Sequence, residues 1–233
     1  MIERLFGLEQ VTYFPENWDH ANVYLIHGQK DYLIDPAIPY DPAIAENLGL
    51  TLATHFHFDH VNQVDAWRER GGLKFIMPQG DIPLLTDPEA NCSLMFGQSR
   101  TFAPADAYYR DEEIIQEEDY LRFKVYHTPG HCPGCSCLLL EVADSGHKDP
   151  VWRPLALITG DTLFAESIGR TDLKGGNPAV MRESLARLVK LMRKLPGDLP
   201  VLPGHGSPCK ISDLFRHNFY ILSLVQDQEP FID

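Results

Sequence analysis

The sequence predicts a layered α/β fold that gathers histidines and aspartates at one edge, and two observations predict it. First, four short apolar runs of strand character each lead straight into a piece rich in ligand atoms. Leu50–Thr54 precedes His55-Phe56-His57-Phe58-Asp59-His60, and Leu121–Tyr126 precedes His127-Thr128-Pro129-Gly130-His131. Leu155–Thr159 precedes Gly160-Asp161-Thr162, and Pro200–Pro203 leads into Gly204-His205-Gly206. Second, strand-type segments share the chain with segments of helical period, and α/β proteins tend to place their sites just past strand ends.

Taken in order, Asn22–His27 and Asp31–Asp35 read as two strands joined by the turn Gly28-Gln29-Lys30. Residues 61–70 read as a short helix stopped by Gly71-Gly72, which places Asp59 and His60 at its N-terminus. Lys74–Met77 is a further strand. Residues 86–119 lack periodicity and contain Asn91, Gly97 and Pro104, so a long loop with short pieces of structure is expected. Ser136–Val142 is an apolar strand. The clearest helix is 178–194, with Asn177 as N-cap, Pro178 in the first turn and a stripe of Met181, Leu185, Leu188 and Met192. A last helix around 211–225 carries Ile211, Leu214, Phe215, Phe219 and Leu222.

The ligand types suit a metal. Imidazole and carboxylate together favour Zn, Fe or Mn. His55 and His57 are two apart and share a face along a strand, whereas the adjacent Asp59 and His60 are better placed to serve a second metal. Asp161 is the natural carboxylate to bridge two cations. Five of the ten histidines belong to this set, too dense a cluster for scattered core or surface histidines. A closed structural zinc, with four Cys or His ligands, does not match a seven-residue set containing carboxylates.

At 233 residues with 44% hydrophobic content, the chain suits a single globular domain spanning 1–233. It has no run of 18 apolar residues, which argues against membrane association, and Met1–Phe6 does not open a signal peptide, so a cytoplasmic location is expected. A formal charge of −13 makes nucleic acid an unsuitable partner, because phosphate binding calls for clustered Lys and Arg. No oligomeric state follows from the sequence. Five cysteines without a signal peptide do not suggest a disulfide framework. Cys132, Cys135 and Cys137 follow His131 directly. Cys135 and Cys137 read first as small hydrophobes that open the strand at 136–142, and Cys132 with Cys135 reads second as a Cys-x-x-Cys redox or metal-binding unit.

At these motifs the chain resembles the metallo-β-lactamase-fold hydrolases, and within them the glyoxalase II (hydroxyacylglutathione hydrolase) group. The family's H-x-H-x-D-H falls on His55 to His60, its H-T-P-G-H on 127–131, its G-D-T-L-F on 160–164 and its P-G-H-G on 203–206. The resemblance implies a four-layer αββα sandwich holding two divalent metal ions, with mixed occupancy allowed. Metal one would take His55, His57 and His131, metal two Asp59, His60 and His205, and Asp161 would bridge them, leaving His127 outside the ligand set. Longer glyoxalase II proteins carry an additional C-terminal helical region that helps hold glutathione; here the helix around 211–225 is all that is expected of it, with no separate C-terminal glutathione-binding domain. The resemblance also implies that Arg170 contacts an anionic thiol carrier, with Lys174 a weaker candidate, and that Asp59 orients the nucleophile as well as binding metal. Val61-Asn62-Gln63, Cys132 to Cys137 and Glu166 depart from the family pattern and bear on the substrate. The expected activity is hydrolysis of a small anionic thioester such as S-D-lactoylglutathione by a metal-bound hydroxide. The alternatives are a mononuclear-iron persulfide dioxygenase acting on glutathione persulfide through His55, His131 and Asp161, and a non-catalytic redox or metal-binding module using Cys132 and Cys135. A β-lactamase is disfavoured, because Asp161 stands where zinc β-lactamases commonly use cysteine.

Overall fold

The computed structural model describes residues 3–143 and 150–226. Two sheets face one another. The first runs β1 (Glu3–Arg4), β2 (Val11–Phe14), β3 (Val23–Ile26), β4 (Asp31–Ile34), β5 (Leu48–Leu52), β6 (Lys74–Pro78) and β7 (Ala107–Tyr109), paired in that order. The second contains β8 (Ile114–Ile115), β9 (Leu121–His127), β10 (Ser136–Ala143), β11 (Trp152–Gly160), β12 (Pro200–Pro203) and β13 (Cys209–Lys210), ordered β13-β12-β11-β10-β9-β8. Among the described residues the α-helices are α1 (Pro42–Ala45), α2 (Phe58–Val61), α3 (Val64–Gly71), α4 (Pro178–Met192), α5 (Ile211–His217) and α6 (Phe219–Gln226).

Strand alternation builds the layers. On β3, Tyr24 and Ile26 point between the sheets and meet Phe123, Leu138, Leu140 and Ile158 of the second sheet. Val23 and Leu25, one residue out of phase, point outward to Trp67 of α3. On the far side, Leu139, Leu157 and Val201 pack against α4, α5 and α6 through Met181, Leu185, Leu188, Met192, Leu214 and Ile221. Both faces of the central strands are therefore apolar, and the result is the helix–sheet–sheet–helix sandwich expected. Among the described residues no helix is long and apolar enough to cross a membrane.

Most expected elements lie within a residue or two of their sequence bounds, and two differ. The helix expected at 61–70 is two helices, α2 and α3. Arg100 donates to the Asn62 carbonyl at 2.6 Å and Asn62 Nδ2 donates to the Asp19 carbonyl at 2.8 Å, so outside partners interrupt the helical ladder there. Asp59 and His60 consequently sit inside α2 itself. The single helix expected at 211–225 is broken at Asn218, which turns extended (ψ 112°). Its buried side chain accepts from the N–H groups of Tyr220 and Ile221 at 3.1 Å and donates to the carbonyls of Phe164 and Ser167 at 3.0 Å. Asn218 thus caps α6 and fastens the loop that follows Asp161. Residues 86–119 hold short helical turns and the edge strands β7 and β8, by which the chain passes from one sheet to the other.

Candidate metal centre

The loops after β5, β9, β11 and β12 open on one edge of the sandwich and bring all seven residues together. Three overlapping groups have ligand atoms within 4.8 Å of one another: His55, His57 and His131; His55, His60 and Asp161; Asp59, His60 and His205. His127 stays outside. It donates through Nε2 to the Pro133 carbonyl at 2.8 Å and so ties down the loop that carries His131.

Four of the five imidazoles are aimed by a second partner. His60 donates through Nδ1 to Asp35 Oδ2 at 2.9 Å, His131 to the Arg170 carbonyl at 2.7 Å, and His205 to Glu16 Oε2 at 2.6 Å. His55 Nδ1 lies 3.2 Å from Thr54 Oγ1, whose own hydrogen is given to Asp35 Oδ2 at 2.8 Å. With Nδ1 protonated, each of these rings presents a bare Nε2 to the centre, the arrangement that metal-binding histidines adopt. His57 Nδ1 and His131 Nε2 meet at 2.8 Å.

These atoms fit a cation better than they fit each other. The Nε2 atoms of His55, His57 and His60 and Oδ1 of Asp161 are buried without a hydrogen bond. His60 Nε2 lies 3.3 Å from Asp161 Oδ1, but without hydrogen-bonding geometry. Unsatisfied buried polar atoms are expensive, and several converging on one point call for a cation that would satisfy them together. Charge points the same way. Burial drives His55 well below the usual imidazole range and His57 down to about 3, with neighbouring histidines adding to the effect. Burial would raise Asp161 and Asp59, but His60 and His205 outweigh it and hold both carboxyls below their usual range. Burial would likewise lower His60 and His205. The carboxylates overcome it, raising His60 well above its ordinary value and His205 to about 9.

Close packing at the centre depends on glycine. A Cβ on Gly204 would collide with Asp161 Oδ1 and come within 2.7 Å of His60 Cε1. Asp35, by contrast, pays a conformational cost: its φ of 55° is left-handed, where non-glycine residues are uncommon. That backbone lets its carboxylate accept from the Thr54 N–H at 2.6 Å while also reaching His60. The roles of Asp35 and Glu16 were not legible in the sequence. Asp35 reads as the last residue of a strand, and the one available signal is an acid ending an apolar run.

A cleft of about 360 Å³ opens over the cluster, lined by Asp59, Arg170 and His205 and by the apolar side chains of Met95, Phe96, Phe164, Ile168 and Leu173. Arg170 stands at the rim with its guanidinium bonded twice to Asp172, at 2.7 and 2.8 Å. Lys174 does not line the cleft. Its ammonium pairs with Asp87 at 2.7 Å and Glu89 at 3.0 Å, clasping the 87–96 segment to the loop after Asp161. Cys137 lies in β10 as a small hydrophobe, whereas Cys132 and Cys135 are equally buried but touch through their sulfurs.

A family model described as the metallo-beta-lactamase superfamily matches residues 17–145. A probable metallo-hydrolase of Bacillus subtilis, YqgX, is 33% identical over 93% of this chain and 97% of its own. The hydroxyacylglutathione hydrolase GloC of Haemophilus influenzae is 29% identical over 91% of this chain and 96% of its own. Among solved structures, BLEG-1, a B3 metallo-beta-lactamase, superposes with a TM-score of 0.74 at 29% identity, covering 91% of this chain and 99% of that one. TTHA1623 in a di-iron-bound form gives 0.69 at 27% identity, covering 89% and 98%.

Proposed function

Because the chain belongs to the metallo-β-lactamase superfamily, we propose that it is a metal-dependent hydrolase of a small anionic thioester, with S-D-lactoylglutathione the first substrate to test. The observation that carries this reading is the make-up of the cleft. Apart from Arg170 and the Cys92 thiol, every titratable side chain lining it belongs to the proposed ligand set. A thiolate leaves without prior protonation, whereas an amine leaving group needs an acid, and the cleft offers none beyond those ligands. The likeness to a hydroxyacylglutathione hydrolase supports the same substrate class. The likeness to a B3 metallo-beta-lactamase puts β-lactams in the same assay.

In this reading His55, His57 and His131 would hold one divalent cation (Zn, Fe or Mn) and Asp59, His60 and His205 a second, with Asp161 available to both, and the cations would supply Lewis acidity and a nucleophilic water at neutral pH. Asp59 faces the cleft with Oδ2 at 3.2 Å from His205 Nε2, placed to accept a hydrogen bond from the attacking water and fix its direction. Asp35, Glu16 and the Arg170 carbonyl keep the rings from rotating. Phe96, Phe164, Ile168 and Leu173 shelter the acyl group from bulk water. Arg170 recognises a carboxylate of the thiol carrier by exchanging Asp172 for it, since its fork takes either in bidentate fashion.

The test follows thioester loss with Zn-, Fe- and Mn-loaded protein against an Asp59→Ala control, beside a β-lactam and glutathione persulfide. Thioester turnover well above the control supports the proposal. Turnover of the lactam alone, or oxygen uptake with the persulfide on a single iron, would replace it.

A further inference from the structure

Outside the metal centre, Cys132 and Cys135 pack in the apolar layer beside Phe56 and Met77, and together with Asp81 they form a cluster that the function does not use. The two sulfurs lie 2.7 Å apart, not far beyond the roughly 2.05 Å of a covalent S–S bond and closer than relaxed thiols pack. A pair of small hydrophobes does not call for such a contact, and the other three cysteines show none among the described residues. Nor is this a metal site: among the described residues the groups able to hold a cation consist only of the histidines and aspartates of the centre.

The turn is built to hold that contact. Asp81, wholly buried, accepts from the Gly134 N–H at 2.5 Å through Oδ1 and from the Cys132 thiol at 3.3 Å through Oδ2. A Cβ on Gly134 would come within 2.6 Å of Asp81 Oδ1, so the turn Cys132-Pro133-Gly134-Cys135 closes directly over the carboxylate. Oδ2 also accepts from the Phe56 N–H at 3.0 Å, between His55 and His57. One buried acid therefore joins the thiol pair to the loops of the metal centre. Both thiols are buried, so a small reagent reaches them only through a local opening of this turn, at which Pro133 is exposed.

We infer that Cys132 and Cys135 are a reversible redox site, converted by small hydroperoxides to an intramolecular disulfide. One thiol attacks the O–O bond, which breaks to give a sulfenic acid and an alcohol, or water from hydrogen peroxide. The second thiol then attacks that sulfur, forming the S–S bond, breaking S–O and releasing water. Two electrons pass from the sulfurs to the peroxide oxygens, and both thiol protons end in the alcohol and water. Asp81 is the group positioned to relay the Cys132 proton. A dithiol reductant reverses the change.

The test uses the full-length, metal-loaded protein treated with hydrogen peroxide, then denatured for thiol counting and peptide mapping. Two of the five thiols should disappear, the intact mass should fall by two hydrogens, the mapped link should join Cys132 to Cys135, and reductant should restore all five. In Cys135→Ser, peroxide should instead leave a sulfenic acid on Cys132 that dimedone traps. Five surviving thiols, a link between other cysteines, or direct over-oxidation without an S–S bond would overturn the inference, and the wild-type arm decides this even if the variant fails to fold.

Discussion

Asp35 illustrates how single residues make this centre: an uncommon backbone conformation is kept because one carboxylate then orients both Thr54 and His60. Asp35→Ala should keep the fold while lowering metal affinity by roughly 10- to 100-fold, the usual cost of losing a partner that orients a ligand. Competition against a chelator would measure it, and unchanged affinity would deny Asp35 that role. Arg170→Ala should raise KM for an anionic thioester roughly tenfold while sparing metal content, since a bidentate charged contact is lost. An unchanged KM would make Arg170 only the partner of Asp172. Protons compete with metal in a predictable direction. Neighbouring carboxylates raise both His60 and His205; His205, raised to about 9, holds a proton at pH 7 that binding must expel. Zinc binding at pH 7 should therefore release about one proton or more, with affinity rising with pH until His205 deprotonates near 9. Calorimetry in buffers of different ionisation enthalpy reads this directly, and zero release would contradict it. The ligand types were legible because histidine and aspartate crowd into short pieces after strands. Asp35, Glu16 and Asp81 were not, because a lone acid acquires its role from a neighbour distant in sequence.

Elements were legible where local chemistry decides them. Helix α4 declares itself through Asn177, which accepts from the N–H groups of Ala179 and Val180, and through a stripe of methionine and leucine that is buried throughout. The C-terminal pair α5 and α6 reads as one helix because its apolar spacing continues across Asn218, and only the carbonyls of Phe164 and Ser167 explain the break. Asn218→Ala removes a cap and two part-buried hydrogen bonds and should cost about 2 kcal/mol by denaturant unfolding, with the Phe164 loop loosened as well. A cost near zero would show that the break does not depend on this side chain. Strand β2 escaped the sequence reading because Thr12 interrupts its apolar residues, whereas β3 and β4, equally short, are buried throughout.

At the scale of the whole molecule, the sheet order is set by pairings between distant segments, such as β11 with β12 across α4, which hydrophobic pattern alone does not specify. Family resemblance supplied the sandwich, and the structure shows why it serves: four strand ends on one edge deliver ligands that no single element could. The central claim is that this edge holds two metals that act together on a thioester. Its most direct test is to titrate metal-free protein with Zn²⁺ while following thioester hydrolysis, in wild type and His205→Ala. Activity should climb in step with the second equivalent and collapse in the variant. Full activity at one equivalent, undiminished by His205→Ala, would contradict the account.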